Sequence, residues 1–220
     1  MKNYIIKKTK RKTMSIKINS KGEVVVSVPK NTTDSKVLEF INKHSNWIDS
    51  HLSKINDILK QNSELLNYEK IMYLGKKYDV IYVNGLKEIS LKNDGIYVPY
   101  IFQKKIKKYL QEWYLKSFNE IIVNRTNTLL KKLKLSCNEI VAINSVYRWG
   151  TCSSDKKISF NYKLLMLDYE LIDYVIVHEV CHLVVMNHQA KFWKKVGLIL
   201  PNYKELIKKL KNYGFLLRNL

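Results

Sequence analysis

The chain has 220 residues, enough for one sizeable hydrophobic core or two small lobes sharing one. Its apolar and charged fractions are those of a globular protein, which excludes a disordered chain, and no run of eighteen apolar residues is present to cross a membrane as a helix. The formal net charge of +20 attracts nucleic acid or an acidic partner, yet only four of the 39 basic residues are arginine and the lysines are spread along the whole chain, so composition alone also accounts for it.

Residues 1–13 are basic and lead into alternating polar and apolar residues rather than a continuous apolar stretch, which places the protein in the cytoplasm. The cysteines, Cys137, Cys152 and Cys181, are odd in number and far apart. They read as reduced thiols, not as a disulfide framework or a zinc ribbon.

Met14, Ile16 and Ile18 alternate, Lys21-Gly22 makes a turn, and Glu23 to Val28 runs back, which predicts a β-hairpin ended by Pro29. Asn31 to Asp34 can cap a helix whose apolar residues, Val37, Phe40, Ile41, Trp47 and Ile48, extend it with a break to about Gln61. His44 and His51 on this helix read as surface or packing histidines. Between residues 71 and 100 the turns at Gly75, Asn84-Gly85 and Asp94-Gly95 separate short strands, chiefly Tyr78–Val83 and Gly95–Val98. A helical period then runs from Ile101 to about Lys134, with Lys104, Lys105, Lys107 and Lys108 on its solvated face. Ile140–Val146 and Lys157–Leu167 read as strands. Asp168 can cap a helix from about Tyr169 to Met186 that is apolar nearly all round and so belongs inside the fold.

Within this last helix stands His178-Glu179-Val180-Cys181-His182. Residues four apart share one helix face, so both imidazoles can point at one ion, while Glu179 projects beside that face with a carboxylate able to reach a water there. His188 follows six residues after His182, and Asn187, by taking a left-handed conformation, can end the helix and turn His188 back as a third ligand. Two histidines and a glutamate are costly to bury in so apolar a helix, and a divalent cation satisfies them together. Three neutral imidazoles with an open fourth position suit zinc. The expected chemistry is peptide hydrolysis, with Glu179 as general acid/base and with Tyr147, Arg148 and Tyr203 as candidate oxyanion donors. A thiolate from Cys152 or Cys181 in the fourth position would instead make the site a structural one.

Arg148-Trp149-Gly150-Thr151-Cys152-Ser153-Ser154, Ile158-Ser159-Phe160-Asn161, the His178–His182 run, Asn187-His188 and Phe192-Trp193 together resemble the YgjP-like metallopeptidase family, relatives of the SprT-like zincins. The N-terminal half is similar as well, in Arg11–Ile16, Val24–Pro29, Trp47-Ile48 and Tyr73-Leu74-Gly75. The resemblance implies an α+β fold. An N-terminal β-rich lobe with one helical segment (residues 1–100) would precede a zincin-like catalytic domain (residues 101–220) built on a central H-E-x-x-H helix. It also implies zinc held by His178, His182 and His188, Glu179 as the catalytic group, and a polypeptide substrate extended along the edge strand Lys157–Leu167 beside that helix. Some SprT-like proteins act on proteins bound to DNA, which makes a DNA-associated protease or a nucleic-acid-binding accessory protein the alternative.

Overall fold

The computed structural model describes residues 4–220 and divides them into two compact units, one running to Leu66 and one from Asn67 onward, with Asn219 grouped with the first. The fold is mixed α+β.

In the N-terminal unit, β2 (Ser15–Ile18) and β3 (Val24–Pro29) form the expected hairpin, with Ile16 opposite Val26. Gly22 supplies the positive φ of the turn. A strand not foreseen, β1 (Tyr4–Thr9), runs parallel to β3 and makes β3 the central strand. Alternation then does its work: Val24, Val26 and Val28 are buried, and they pack with Val37 and Ile41 of α1 (Asp34–Lys43) and Ile48 of α2 (Ser45–Gln61). The break between these helices falls at His44, whose Nδ1 lies 2.8 Å from the Phe40 carbonyl. His51 makes the same contact with Trp47, so both histidines serve local packing. A single turn, α3 (Ser63–Leu66), follows.

The second unit begins with β4 (Lys70–Tyr73) and β5 (Lys76–Val83), joined by Leu74 and Gly75, both at positive φ as a tight hairpin turn requires. With β6 (Ser90–Lys92) and β7 (Gly95–Pro99) they make a sheet of order β4-β5-β7-β6. These strands belong with the C-terminal part of the chain, not with a lobe ending at residue 100. Leu74 N donates to Leu165 O at 2.7 Å, Gly75 N donates to Met166 O, and the buried Tyr114 hydroxyl donates to Met72 O. Gly75 also lies so close to Asp168 that a Cβ there would meet the Asp168 Cβ at 2.7 Å, so the turn needs glycine for space as well as for φ.

A 3-10 turn at Tyr100–Lys105 leads into α4 (Ile106–Phe118), a π turn at Asn119–Val123 and α5 (Asn124–Leu133), which ends at left-handed Lys134. The buried residues recur every four positions: Ile106, Leu110, Tyr114, Phe118, Ile122, Thr126 and Leu130. On a 3.6-residue turn, that spacing drifts by about 40° per step, and the wider π turn resets the stripe against the core.

β8 (Glu139–Ile143), β9 (Gly150–Cys152) and β10 (Lys157–Asn161) form a small mixed sheet with β10 in the centre, parallel to β8 and antiparallel to β9. The expected strand Lys157–Leu167 therefore stops at Asn161, where the Asn161 side chain accepts from Lys163 N and starts a 3-10 turn. Nor is it an edge: the edge strand packed against the next helix is β9. That helix, α6 (Tyr169–His182), starts at Asp168, whose carboxylate accepts from Leu171 N at 3.0 Å. Ten of its residues are buried, as its all-round apolarity demands. Helices α7 (Ala190–Ile199), α8 (Tyr203–Lys211) and α9 (Gly214–Asn219) complete the chain. No helix of the described residues is long and apolar enough to cross a membrane.

Candidate metal centre

The last turn of α6 carries His178 and His182 on one face. The chain then reverses through Leu183 and Val184, whose amides donate to Val180 O and Cys181 O, and Val185 N also reaches Cys181 O. Asn187 does not take the left-handed conformation expected of it. Among the described residues, the left-handed non-glycine ones are Tyr68, Leu74, Lys134 and Lys156, and Asn187 instead accepts from Gln189 N through its side chain. The reversal brings His188 back over α6. The three Nε2 atoms stand 3.3 Å (His178–His182), 3.2 Å (His182–His188) and 3.0 Å (His178–His188) apart. Among the described residues, these three imidazoles are the group able to share one metal ion.

The surroundings hold the rings in place. Phe192 of α7, fully buried, stacks on His182 at 4.4 Å between centroids and meets His178 and His188 at 4.9 Å each. Trp193 flanks His178 and His188 and itself stacks on Tyr203. The carbonyl of Val185 lies 3.0 Å from His182 Nδ1, which therefore carries the proton and leaves a lone pair on Nε2. His178 Nδ1 is buried without a hydrogen-bond partner. Burial, with the neighbouring imidazoles, lowers the His178 pKa to about 4, and burial also lowers that of His182, so both rings are neutral at neutral pH.

Glu179 is buried on the adjacent side of α6. Burial raises its pKa to about 8, and the positive charge of Arg148 pulls the other way. Its carboxylate rests on Gly150 of β9: a Cβ at Gly150 would meet Glu179 Cγ at 2.7 Å and Oε1 at 2.8 Å. Asn161, wholly buried, fixes the loop before β9 by donating to Ser145 O at 2.7 Å and to Arg148 O at 3.1 Å, while Asn161 N donates to Trp149 O.

Of the candidate oxyanion donors, Arg148 is the one electrostatically coupled to Glu179. Tyr203 is engaged with Trp193, and Tyr147 is 86% exposed. Cys181 faces Leu133, Leu135 and Leu198, away from the imidazoles, and Cys152 on β9 is a free thiol whose pKa burial raises to about 11. The roles of Gly150, Asn161 and Phe192 depend on contacts distant in sequence, and their only sequence signal was membership in the motif blocks quoted above.

The model of the YgjP-like metallopeptidase domain matches residues 12–213. The chain belongs to the YgjP-like metallopeptidase family. It is thus a metal-dependent peptidase by family, and the match runs through both compact units. Among solved structures, it is similar to the metallopeptidase zymogen of Pyrococcus abyssi abylysin, at 21% identity over 45% of this chain and 98% of that one, with a TM-score of 0.39. It is also similar to the metallopeptidase zymogen of Methanocaldococcus jannaschii jannalysin, at 24% identity over 40% and 92% of the two chains, with a TM-score of 0.35. No curated protein matches the chain.

Proposed function

We propose that this YgjP-like chain is a zinc peptidase of zincin-like fold in which His178, His182 and His188 hold the ion and Glu179 moves the proton. The observation that carries the reading is the convergence of three Nε2 atoms at 3.0–3.3 Å. Tetrahedral zinc with nitrogens at 2.0–2.1 Å spaces its ligands about 3.3–3.4 Å apart, so the triangle fits with adjustments of a few tenths of an ångström. The lone pair directed inward by the His182–Val185 contact, and the neutrality of His178 and His182, suit a cation rather than one another. Zinc bound there supplies Lewis acidity toward water and toward a peptide carbonyl.

Glu179 takes a proton from the attacking water and passes it to the departing amine. Burial raises the Glu179 pKa to about 8 without an ion, and the positive charge of zinc beside it would pull it down, toward the carboxylate that a general base needs. Gly150 brings the edge strand β9 against that carboxylate, and an extended polypeptide can pair along β9 with its scissile bond beside Glu179. Arg148, exposed at the end of the same loop, offers positive charge toward a developing oxyanion. The three free thiols accord with action in the reducing cytoplasm.

The test is elemental analysis of the purified full chain and of His182→Ala. About one zinc per wild-type chain, lost in the folded variant, is expected. A folded wild type that takes up no zinc when it is supplied would refute the reading.

A further inference from the structure

Beside the imidazoles, the second unit holds a pocket of about 320 Å³ that the hydrolytic mechanism does not use. Its walls are aromatic and aliphatic: Tyr147, Trp149, Tyr174 and Leu217. Lys211 and Arg218 also line it, and both are exposed. Two walls are continuous with the candidate site. Tyr174 stands one turn before His178 on α6, with ring centroids 6.0 Å apart, and its phenol feels the Glu179 charge. Trp149 precedes Gly150, on which the Glu179 carboxylate rests.

The two cations are placed and unspent. Gly214 leaves room for the Arg218 guanidinium to lie over bare backbone, since a Cβ there would meet its terminal nitrogen at 3.3 Å. Lys163, fully buried, donates from Nζ to Leu217 O at 2.9 Å and so pins α9, which bears Arg218. On α8, Lys209 is bound by Asp168 and Glu170, whereas neither Lys211 nor Arg218 has an acidic partner among the described residues. Arg148 stands in the chain between the lining residues Tyr147 and Trp149, so three basic side chains lie in or next to a lining that is otherwise apolar and holds no acidic residue. Such a lining takes a group with an apolar stem and an anionic end, and the volume is at the small end of ligand pockets.

We propose that this pocket is a substrate subsite for a carboxylate next to the cleaved bond, with Lys211 and Arg218 as the specificity-determining residues. The inference rests on the peptidase reading and names the substrate class of that site. The carboxylate can come from an Asp or Glu side chain or from the C-terminus of the substrate, and both present the same anion to the same two cations.

The experiment uses the zinc-loaded full chain and peptides that are identical except for Glu, Gln or Lys at each position flanking the cleaved bond, each made as the free acid and as the C-terminal amide. A kcat/KM at least tenfold higher for Glu than for Gln at one position assigns the side chain, and the same preference for acid over amide assigns the C-terminus. In Lys211→Glu/Arg218→Glu the preference should invert toward Lys at that position, with zinc content unchanged. Binding of labelled peptides to zinc-loaded Glu179→Gln, followed by anisotropy, should rank them in the same order. Equal kcat/KM across each pair, or a preference that survives charge reversal, overturns the subsite and leaves the peptidase reading standing. Cleavage of none of the peptides by the zinc-loaded wild type overturns both.

Discussion

Replacing Gly150 with alanine displaces Glu179 without changing its identity. Gly150 does not have positive φ, so alanine brings no backbone strain, only a methyl group. That methyl would lie 2.7 Å from Glu179 Cγ, 2.8 Å from Oε1 and 3.0 Å from Cδ. Carbon atoms rest at about 3.5–4.0 Å, so the carboxylate must retreat by about 1 Å. α6 is packed on most sides, which leaves the Glu179 side chain or β9 as the part that gives. A misplacement of about 1 Å at a reacting group costs about 10²-fold in rate, so kcat on a quenched-fluorescence peptide is expected to fall about 100-fold. Overpacking should also lower stability by about 1–3 kcal/mol, read as a shift in the urea midpoint. Zinc content should stay at the wild-type level, because the imidazoles are held by Phe192 and Val185, not by β9. A folded Gly150→Ala that keeps its zinc and the wild-type kcat would refute the reasoning, since Glu179 would then not be the group whose position sets the rate.

Glu179→Gln keeps the shape of the side chain and removes its proton transfer, so hydrolysis should drop by about 10²–10⁴-fold with zinc retained. Turnover close to wild type would remove Glu179 from the mechanism. Lys163 gives a stability signature instead. Burial lowers its pKa from 10.5 to about 8, so between those values the unfolded chain binds more protons than the folded one. The Lys163 contribution should therefore make stability rise with pH from about 8 to about 10.5. Comparing wild type with Lys163→Met in urea at pH 7, 9 and 10 isolates it: the wild type should gain on the variant as pH rises. Parallel curves would show that the buried amine does not titrate in that window.

Much of the secondary structure was legible because its causes are local. The hairpin over β2 and β3 follows from alternating residues around Lys21-Gly22. The start of α6 follows from Asp168 as its cap, and its burial from an apolar surface on every side. The break at His44 lies within the helical region expected to run to Gln61. What escaped was non-local. Strand β1 pairs in parallel with β3 across some twenty residues, and nothing in Tyr4–Thr9 announces its partner. The strands from Lys70 to Pro99 looked like part of an N-terminal lobe, but three hydrogen bonds to Leu165, Met166 and Tyr114 tie them to the second unit. Polar and apolar residues alternate from Lys157 to Leu164 and the run then stays apolar to Leu167, which concealed the turn that Asn161 starts. Asn187 has the residue type of a left-handed helix end, yet its side chain serves the turn instead.

The sequence by itself determined the residues able to gather at one point. A four-residue spacing on a helix puts His178 and His182 on one face whatever surrounds them, because the helical repeat is set by the backbone. Tertiary structure decided the distances and the neighbours. It turned His188 back to within 3.3 Å of both partners, set Gly150 under the Glu179 carboxylate, and left Lys211 and Arg218 lining a pocket beside it. Those outcomes come from close packing between segments far apart in the chain, where shape and charge are matched in space and no local pattern records the partner.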